Sequence, residues 1–208
     1  MKRAFRWSAR CGGRASVSPE GEAEQPGVLV AVVGPSGAGK DSLLRYASER
    51  LEGDDRFLFV RRIVTRPADP ASEDHVSVSE EAFVEAETEG RFAVAWRAHG
   101  HSYALSSEVL EYVEAGGIAV ANCSRAALGR VRDRFRVLEI ITVTARPQII
   151  AARIASRGRE DAAATARRVD RRIDDFPGRG DAIEIDNSGA LETAGEEFTA
   201  VLLRLARR

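Results

Sequence analysis

Short apolar runs alternate with amphipathic segments along most of the chain, beginning at Val28. The apolar runs predict strands at residues 28–33, 57–60, 92–96, 118–121, 138–143 and 183–185. Segments with helical spacing predict helices at residues 40–51, from 79, from 106 or 107 to 116, and at 124–134, 148–157, 161–175 and from 188. Strands that alternate with helices predict an α/β fold, a parallel sheet covered by helices on both faces.

Two serines are candidates for helix caps, because a serine hydroxyl can accept from an N–H of the first turn. Ser79 precedes a helix that carries Phe83 and Val84. Ser188 precedes a closing helix whose apolar positions include Phe198 and Leu202. The pattern therefore predicts where both helices begin.

The first 26 residues follow neither pattern. They are rich in Gly, Ser, Pro and Arg, and the first 14 carry five cations and no acid. No apolar segment of the kind that a secretory signal needs follows those charges. We expect a disordered basic tail before a single domain at residues 27–208. A basic arm that touches nucleic acid or membrane, or a start codon upstream of the true one, is the alternative.

Composition and charge limit the classes of molecule that the protein is expected to bind. The chain has 208 residues, 44% of them apolar and 30% charged, which is typical of a globular protein. A formal net charge of -1 argues against binding nucleic acid by bulk charge, and no apolar run is long enough to span a membrane. Cys11 and Cys123 form no metal or disulfide framework, so a reducing cytoplasm is expected. We expect small-molecule partners, with neither nucleic acid nor membrane. The sequence implies no oligomeric state, although it is compatible with a homodimer.

A glycine-rich loop directly follows the first predicted strand and opens the first predicted helix. Its residues are Gly34, Pro35, Ser36, Gly37, Ala38, Gly39, Lys40, Asp41 and Ser42. This spacing in this context is typical of a phosphate-binding loop, in which backbone N–H groups and a lysine bind a nucleoside triphosphate. Only two of the 31 cations are lysines, and Lys40 is the only one outside the tail. A nucleoside triphosphate is therefore the expected ligand, and the loop by itself does not choose among a kinase, a switch and a motor.

One position departs from the general loop, which places a serine or threonine hydroxyl after the lysine to hold Mg²⁺. Here Asp41 takes that place and Ser42 follows. A carboxylate is also a hard oxygen ligand, so Asp41 is a candidate Mg²⁺ ligand. Alternatively, it is a first-turn acid that the helix dipole favours.

Arginines near the ends of the predicted strands indicate an anionic phosphoryl acceptor, because ligands of open parallel sheets bind at the carboxyl ends of the strands. These residues are Arg61, Arg62, Arg66, Arg97 and Arg125, with His99 beside them. Each arginine alone could be an ordinary surface charge. A phosphate acceptor is already anionic near neutral pH, so no general base is required. His75 is expected in a polar loop, and His101 in a loop beside Gly100.

A second group of arginines indicates a lid. The sequence Arg157-Gly-Arg-Glu160 interrupts two predicted helices, and Arg168 follows in the second. Lid arginines that close on a triphosphate stabilise the charge of phosphoryl transfer. The alternative is an ordinary pair of charged helices.

Several motifs resemble guanylate kinase relatives, and more closely the ribose 1,5-bisphosphate phosphokinases of bacterial phosphonate use. The similarity runs from Val28 to the C-terminus. The matching segments are Gly-Lys-Asp-Ser-Leu-Leu at 39–44, Thr65-Arg66-Pro67, Glu73-Asp74-His75, Trp96-Arg97-Ala98-His99-Gly100, Gly100-His-Ser-Tyr103, Asn122-Cys-Ser-Arg125, Arg157-Gly-Arg159-Glu160 and Asp186-Asn-Ser-Gly189. Asp41, unusual in the general loop, is typical of this family.

The resemblance implies a P-loop NTPase fold of the guanylate kinase type with a helical lid. It implies transfer of the ATP γ-phosphoryl group to ribose 1,5-bisphosphate, giving 5-phosphoribosyl 1-diphosphate. Lys40 with Mg²⁺, Arg157 and Arg168 would act on the triphosphate, and Asn187 would line the adenine pocket. The acceptor would contact Arg62, Arg66, Arg97, His99, Tyr103 and Arg125.

Two other functions stay open. Guanylate kinases resemble this chain but carry carboxylates after the third and fourth strands that read guanine N–H groups. The corresponding stretches here, 92–98 and 119–125, contain no acid, which disfavours a nucleoside monophosphate kinase. A non-catalytic guanylate-kinase-like binding module is the second alternative. Such modules usually lack the loop lysine, which this chain has.

Overall fold

The computed structural model describes residues 26–67, 75–98, 100–156 and 179–207. The predicted tail before Pro26, His99, Arg157, Arg168 and the helix predicted at 161–175 lie outside the described residues.

The described chain forms strands and helices in an order close to the predicted one. The strands are β1 (Val28–Val33), β2 (Phe57–Phe59), β3 (Ile63–Val64), β4 (Val76–Ser77), β5 (Phe92–Ala98), β6 (His101–Ser106), β7 (Ile118–Asn122), β8 (Leu138–Thr144) and β9 (Ile183–Asp186). The α-helices are α1 (Lys40–Arg50), α2 (Glu80–Thr88), α3 (Ser107–Glu114), α4 (Leu128–Arg134), α5 (Pro147–Ser156) and α6 (Leu191–Leu205). Two single 3-10 turns, Arg125–Ala127 and Arg179–Asp181, precede α4 and β9.

The main sheet has five parallel strands in the order β2-β7-β1-β8-β9. β1 lies at its centre, and Leu29 to Val33 are completely buried. Alternate residues of β1 join two apolar clusters, one with α3 and α4 and the other with α1 and α6. This arrangement explains the unbroken apolar run, because helices cover both faces of the strand. The predicted α/β class with a P-loop-type parallel sheet is confirmed.

A second sheet was not predicted. It has four strands in the order β4-β3-β6-β5, with β5 and β6 antiparallel and Gly100 in the turn between them at a φ of 77°. β6 reads His-Ser-Tyr-Ala-Leu-Ser, with an apolar run of only three residues, and it pairs with both β5 and β3. The expected loop position of His101 is therefore wrong. His75 does lie outside the strands, directly before β4, but it is buried and not in an exposed polar loop.

The two helix caps behave differently. Ser79 caps α2 as predicted, with its hydroxyl accepting from the Ala82 N–H at 3.2 Å. The predicted cap at Ser188 is wrong, because Ala190 precedes α6 and the Ser188 Oγ accepts from the Arg146 N–H at 2.7 Å. Ser188 instead ties the segment after β9 to the start of α5.

None of the helices in the described ranges combines the length and apolar character needed to span a membrane.

Candidate functional site

The glycine-rich loop leaves the carboxyl end of β1 in a shape that side chains would prevent. A Cβ on Gly34 would lie 2.1 Å from the Val143 carbonyl oxygen of β8, and one on Gly39 would lie 2.2 Å from the Asn187 Nδ2. Both glycines have positive φ, 144° and 93°. α1 then begins at Lys40 with no side chain capping its first turn. Its first N–H groups are therefore available to an anion at the loop.

Lys40 bends back over the loop that precedes it. Its Nζ donates to the carbonyl oxygens of Gly34 and Pro35, each at 3.0 Å. The Lys40 residue is half-buried. A lysine is suited to this place because its charge is compact and its donors rotate freely.

The Ala38 carbonyl oxygen connects the loop to two distant elements. Asn187, just after β9, donates to it from Nδ2 at 2.8 Å, and Arg153 of α5 donates from Nη1 at 3.3 Å. Asn187 is 1% exposed, and its Oδ1 has no hydrogen-bond partner in the described part of the chain. The structure thus places the Asn187 side chain against the loop itself.

Arg153 was not singled out as a site residue by the sequence, where it was one of several arginines in the lid region. The signal that the sequence offered for Arg153 was its spacing from Arg157. It lies four residues before Arg157, which on one helix would place both side chains on the same face.

Asp41 is held from a neighbouring strand. Asn122 is the last residue of β7, and its Nδ2 donates to the Asp41 Oδ1 at 2.7 Å. The half-buried carboxylate of Asp41 lies one residue after Lys40, in the first turn of α1. Because a carboxylate has two oxygens and each can accept more than one bond, this contact leaves Asp41 able to bind a hard cation.

Among the described residues, no group of three or more His, Cys, Asp and Glu side chains could hold a metal ion.

Two aromatic side chains of the second sheet support one of the predicted acceptor arginines. Trp96 of β5 and Tyr103 of β6 are stacked, with ring centroids 5.6 Å apart and an interplanar angle of 9°. The Arg62 guanidinium carbon lies 5.2 Å from the centroid of the Tyr103 ring. Because Trp96 and Tyr103 are both buried, their rings form a fixed aromatic platform for the flexible side chain of Arg62.

Arg66 lies beside this platform in the segment that follows β3. Its carbonyl oxygen is 3.4 Å from the His75 Nε2, and the neighbouring Thr65 Oγ1 accepts from the Ser102 N–H at 2.9 Å. The Arg66 Nε is buried and has no hydrogen-bond partner among the residues described. A buried charged donor left unsatisfied is costly unless a ligand accepts its bond.

The other predicted acceptor residues are placed differently. Arg97 lies within β5 of the second sheet, and its Nη2 is 3.1 Å from the Glu87 Oε2 of α2. This hydrogen bond raises the pKa of the exposed Arg97 guanidinium above its ordinary value. The expectation that Arg97 follows a strand of the parallel sheet is therefore wrong. Arg125 does follow β7, at the same sheet edge as the loop.

The chain is similar to several curated proteins. It is 42% identical over 186 residues to the ribose 1,5-bisphosphate phosphokinase of Brucella melitensis, a match that covers 89% of this chain and 97% of the relative. It is 41% identical over 178 residues to that of Agrobacterium fabrum, covering 86% and 97%. No family model matches the chain.

Among solved structures, guanylate kinase from Anaplasma phagocytophilum has a TM-score of 0.63 at 14% identity, covering 87% of each chain. That likeness shows the guanylate-kinase-like fold. The identity to the curated relatives extends over nearly their whole length. The chain therefore belongs to the ribose 1,5-bisphosphate phosphokinase family.

Proposed function

We propose that the protein transfers the γ-phosphoryl group of ATP to the 1-phosphate of ribose 1,5-bisphosphate. A non-bridging oxygen of the 1-phosphate attacks the γ-phosphorus, and the bond to the ADP oxygen breaks. The products are ADP and 5-phospho-α-D-ribose 1-diphosphate, and the reaction serves phosphonate catabolism. The observation that carries this proposal is a complete phosphate-binding loop, with Lys40 over it, in a chain of this family.

The donor half of the site is built to bind and orient a triphosphate. The N–H groups of the loop and of the first turn of α1 would contact its phosphate oxygens. Lys40 would exchange its two carbonyl contacts for the β- and γ-phosphates. Asn187 and Arg153 support this half by holding the Ala38 carbonyl, which fixes the backbone between Gly37 and Gly39.

Mg²⁺ is the proposed cofactor, and the residues present fit it. Asp41 would hold the ion directly or through water, since the described contact to its carboxylate comes from an uncharged amide. When bound, the ion neutralises charge on the β- and γ-phosphates.

The proposed acceptor half is cationic, and residues 92–98 and 119–125, which correspond to the stretches that carry base-reading carboxylates in guanylate kinases, contain no acid. Arg62 on its aromatic platform, Arg66 with its buried donor, and Arg125 after β7 would bind the two phosphates of the sugar. We include Tyr103 as the support of Arg62. A phosphate with a second pKa of about 6 is mostly ionised at neutral pH, so it needs no base to attack.

Arg157 and Arg168 as lid residues and His99 as an acceptor contact stay predictions, because they lie outside the described residues. The proposed location is the reducing cytoplasm, in line with the buried thiol of Cys123.

A coupled assay that detects ADP tests the proposal directly. Purified protein receives Mg-ATP with either ribose 1,5-bisphosphate or GMP, and the expected result is turnover of the sugar bisphosphate. Turnover of GMP alone would make the protein a nucleoside monophosphate kinase. If neither substrate is turned over while ADP binds, the binding module is the better description.

A further inference from the structure

We infer that Asn122 is a positioning residue, which holds the Asp41 carboxylate so that its second oxygen is available to the cation that accompanies the triphosphate. The contact that carries this inference is the 2.7 Å hydrogen bond from the Asn122 Nδ2 to the Asp41 Oδ1. The inference rests on the proposed function, since it assigns a task within the same site.

Asn122 is fixed well enough to orient another side chain. It is 5% exposed and is aligned with Val32 of the central strand β1. The next residue, Cys123, donates its N–H to the Val32 carbonyl oxygen at 2.8 Å, so the backbone around Asn122 is held to β1. A buried side chain on a paired strand loses little further entropy when it binds.

The chemistry of the pair fits orientation and not neutralisation. A carboxylate only accepts, so the amide must present its NH₂ group to Asp41. An amide is uncharged, and it therefore leaves the full negative charge of Asp41 for a divalent cation. A lysine or arginine in the same place would compete with that cation. Groups that hydrogen-bond a metal-binding carboxylate set its direction in this way.

The departure of the loop from its general pattern explains why such a holder is needed. The serine or threonine usual after the lysine offers one oxygen on a short side chain. Asp41 offers two oxygens on a carboxylate that rotates broadly about its last torsion. A donor at the end of β7 removes this freedom, so the aspartate and the asparagine act as one unit.

Isothermal titration calorimetry of ADP binding, with Mg²⁺ and separately with EDTA, tests the Asp41–Asn122 pair without any turnover. The ratio of the two dissociation constants is the metal coupling. We expect Mg²⁺ to tighten ADP binding in the wild type, and Asn122→Ala to reduce the coupling about tenfold. Asn122→Leu, which fills the buried space without a donor, should do the same. Because each ratio is taken within one variant, a general loss of stability cancels.

A double-mutant cycle shows whether Asn122 acts through Asp41. In an Asp41→Ser background, which restores the usual hydroxyl, Asn122→Ala should change the coupling no further. Thr142→Val is the matched control: Thr142 is buried on β8, the other neighbour of β1, and its Oγ1 has no partner among the described residues. It should leave the coupling unchanged.

The failures of the two proposals are distinguishable. Wild type that does not bind ADP at all would overturn the proposed function. Wild type that binds ADP without metal coupling, or Asn122 variants that keep the coupling, would overturn only the positioning role. The positioning role would also be overturned if Asn122→Ala reduced the metal coupling equally in the Asp41→Ser background, because the effect would then not depend on Asp41.

Discussion

The two halves of the site are built by different means. The proposed donor half lies at the centre of the parallel sheet, where a continuous stretch from β1 through Lys40 forms the loop, and Asn187 and Arg153 contact it from other elements. The proposed acceptor half lies beside the mixed sheet, where the Tyr103 ring of β6 contacts Arg62 and the His75 ring lies against the Arg66 carbonyl oxygen. Contacts between consecutive residues are determined locally. Contacts between β3, β5 and β6 depend on a correct tertiary fold.

The described contacts of the cations in the two halves also differ. Two hydrogen bonds of Lys40 go to carbonyl oxygens of the loop, which an incoming phosphate would replace. Arg97 of the mixed sheet contacts the carboxylate of Glu87. An anionic substrate would therefore have to compete with a carboxylate for the Arg97 guanidinium.

Removing the donor cation should have the largest effect. Lys40→Ala should lower kcat by at least about 10³-fold, because a charge directed at the transferring group is lost. The melting temperature should move by only a few degrees, since the replaced contacts involve a half-buried side chain. Steady-state assays and thermal denaturation measure the two effects.

Lys2→Ala, which changes the other lysine of the chain, is the control and should keep full activity. Lys40→Arg should remain severely impaired, because a planar fork does not replace a compact charge. If Lys40→Ala kept most of the wild-type rate, the proposal that this loop binds the phosphoryl donor would be wrong.

The acceptor half is tested by two arginines with different surroundings. Arg66→Ala should lower kcat/KM for ribose 1,5-bisphosphate about 100-fold, because charged hydrogen bonds to the substrate are lost. Arg97→Ala should change it less than about threefold, because that side chain contacts Glu87 at the surface. Titration of ADP should give the wild-type affinity in both variants. Equal losses of kcat/KM would mean that the ion pair of Arg97 opens to admit substrate.

The aromatic platform should have the smallest effect. Tyr103→Leu removes the ring beneath Arg62 and should raise KM for the sugar bisphosphate about fivefold. Tyr103→Phe keeps the ring and its stacking on Trp96, so KM should stay near the wild-type value. Initial-rate measurements over a range of acceptor concentrations separate these cases. If both variants raised KM equally, the hydroxyl and not the ring would matter.

Prediction from sequence succeeded where the physical cause is local. The apolar run of β1, the glycines and Lys40 are contiguous, and Ser79 caps the helix directly after it. It failed where a residue has a distant partner. Ser188 has the right chemistry for a cap, yet it binds the Arg146 N–H 42 residues away along the chain.

The missed strand and the missed site residues share the same cause. The apolar run of β6 is only three residues long, and β5 and β3 supply the hydrogen bonds of this strand. Arg153 and Asn122 look like any surface arginine or strand-end asparagine until the fold places them against Ala38 and Asp41.

The sequence alone was enough for the α/β class and the phosphate-binding loop, which follow from apolar periodicity and short spacings, and for the family likeness, which rests on a resemblance of short motifs. The tertiary structure was needed to show which groups contact Arg62 and Arg97 and what holds Asp41 and Ala38. The physical reason is that hydrogen bonds and ion pairs require atoms within about 3 Å, and the chain reaches that distance between remote residues only after it folds.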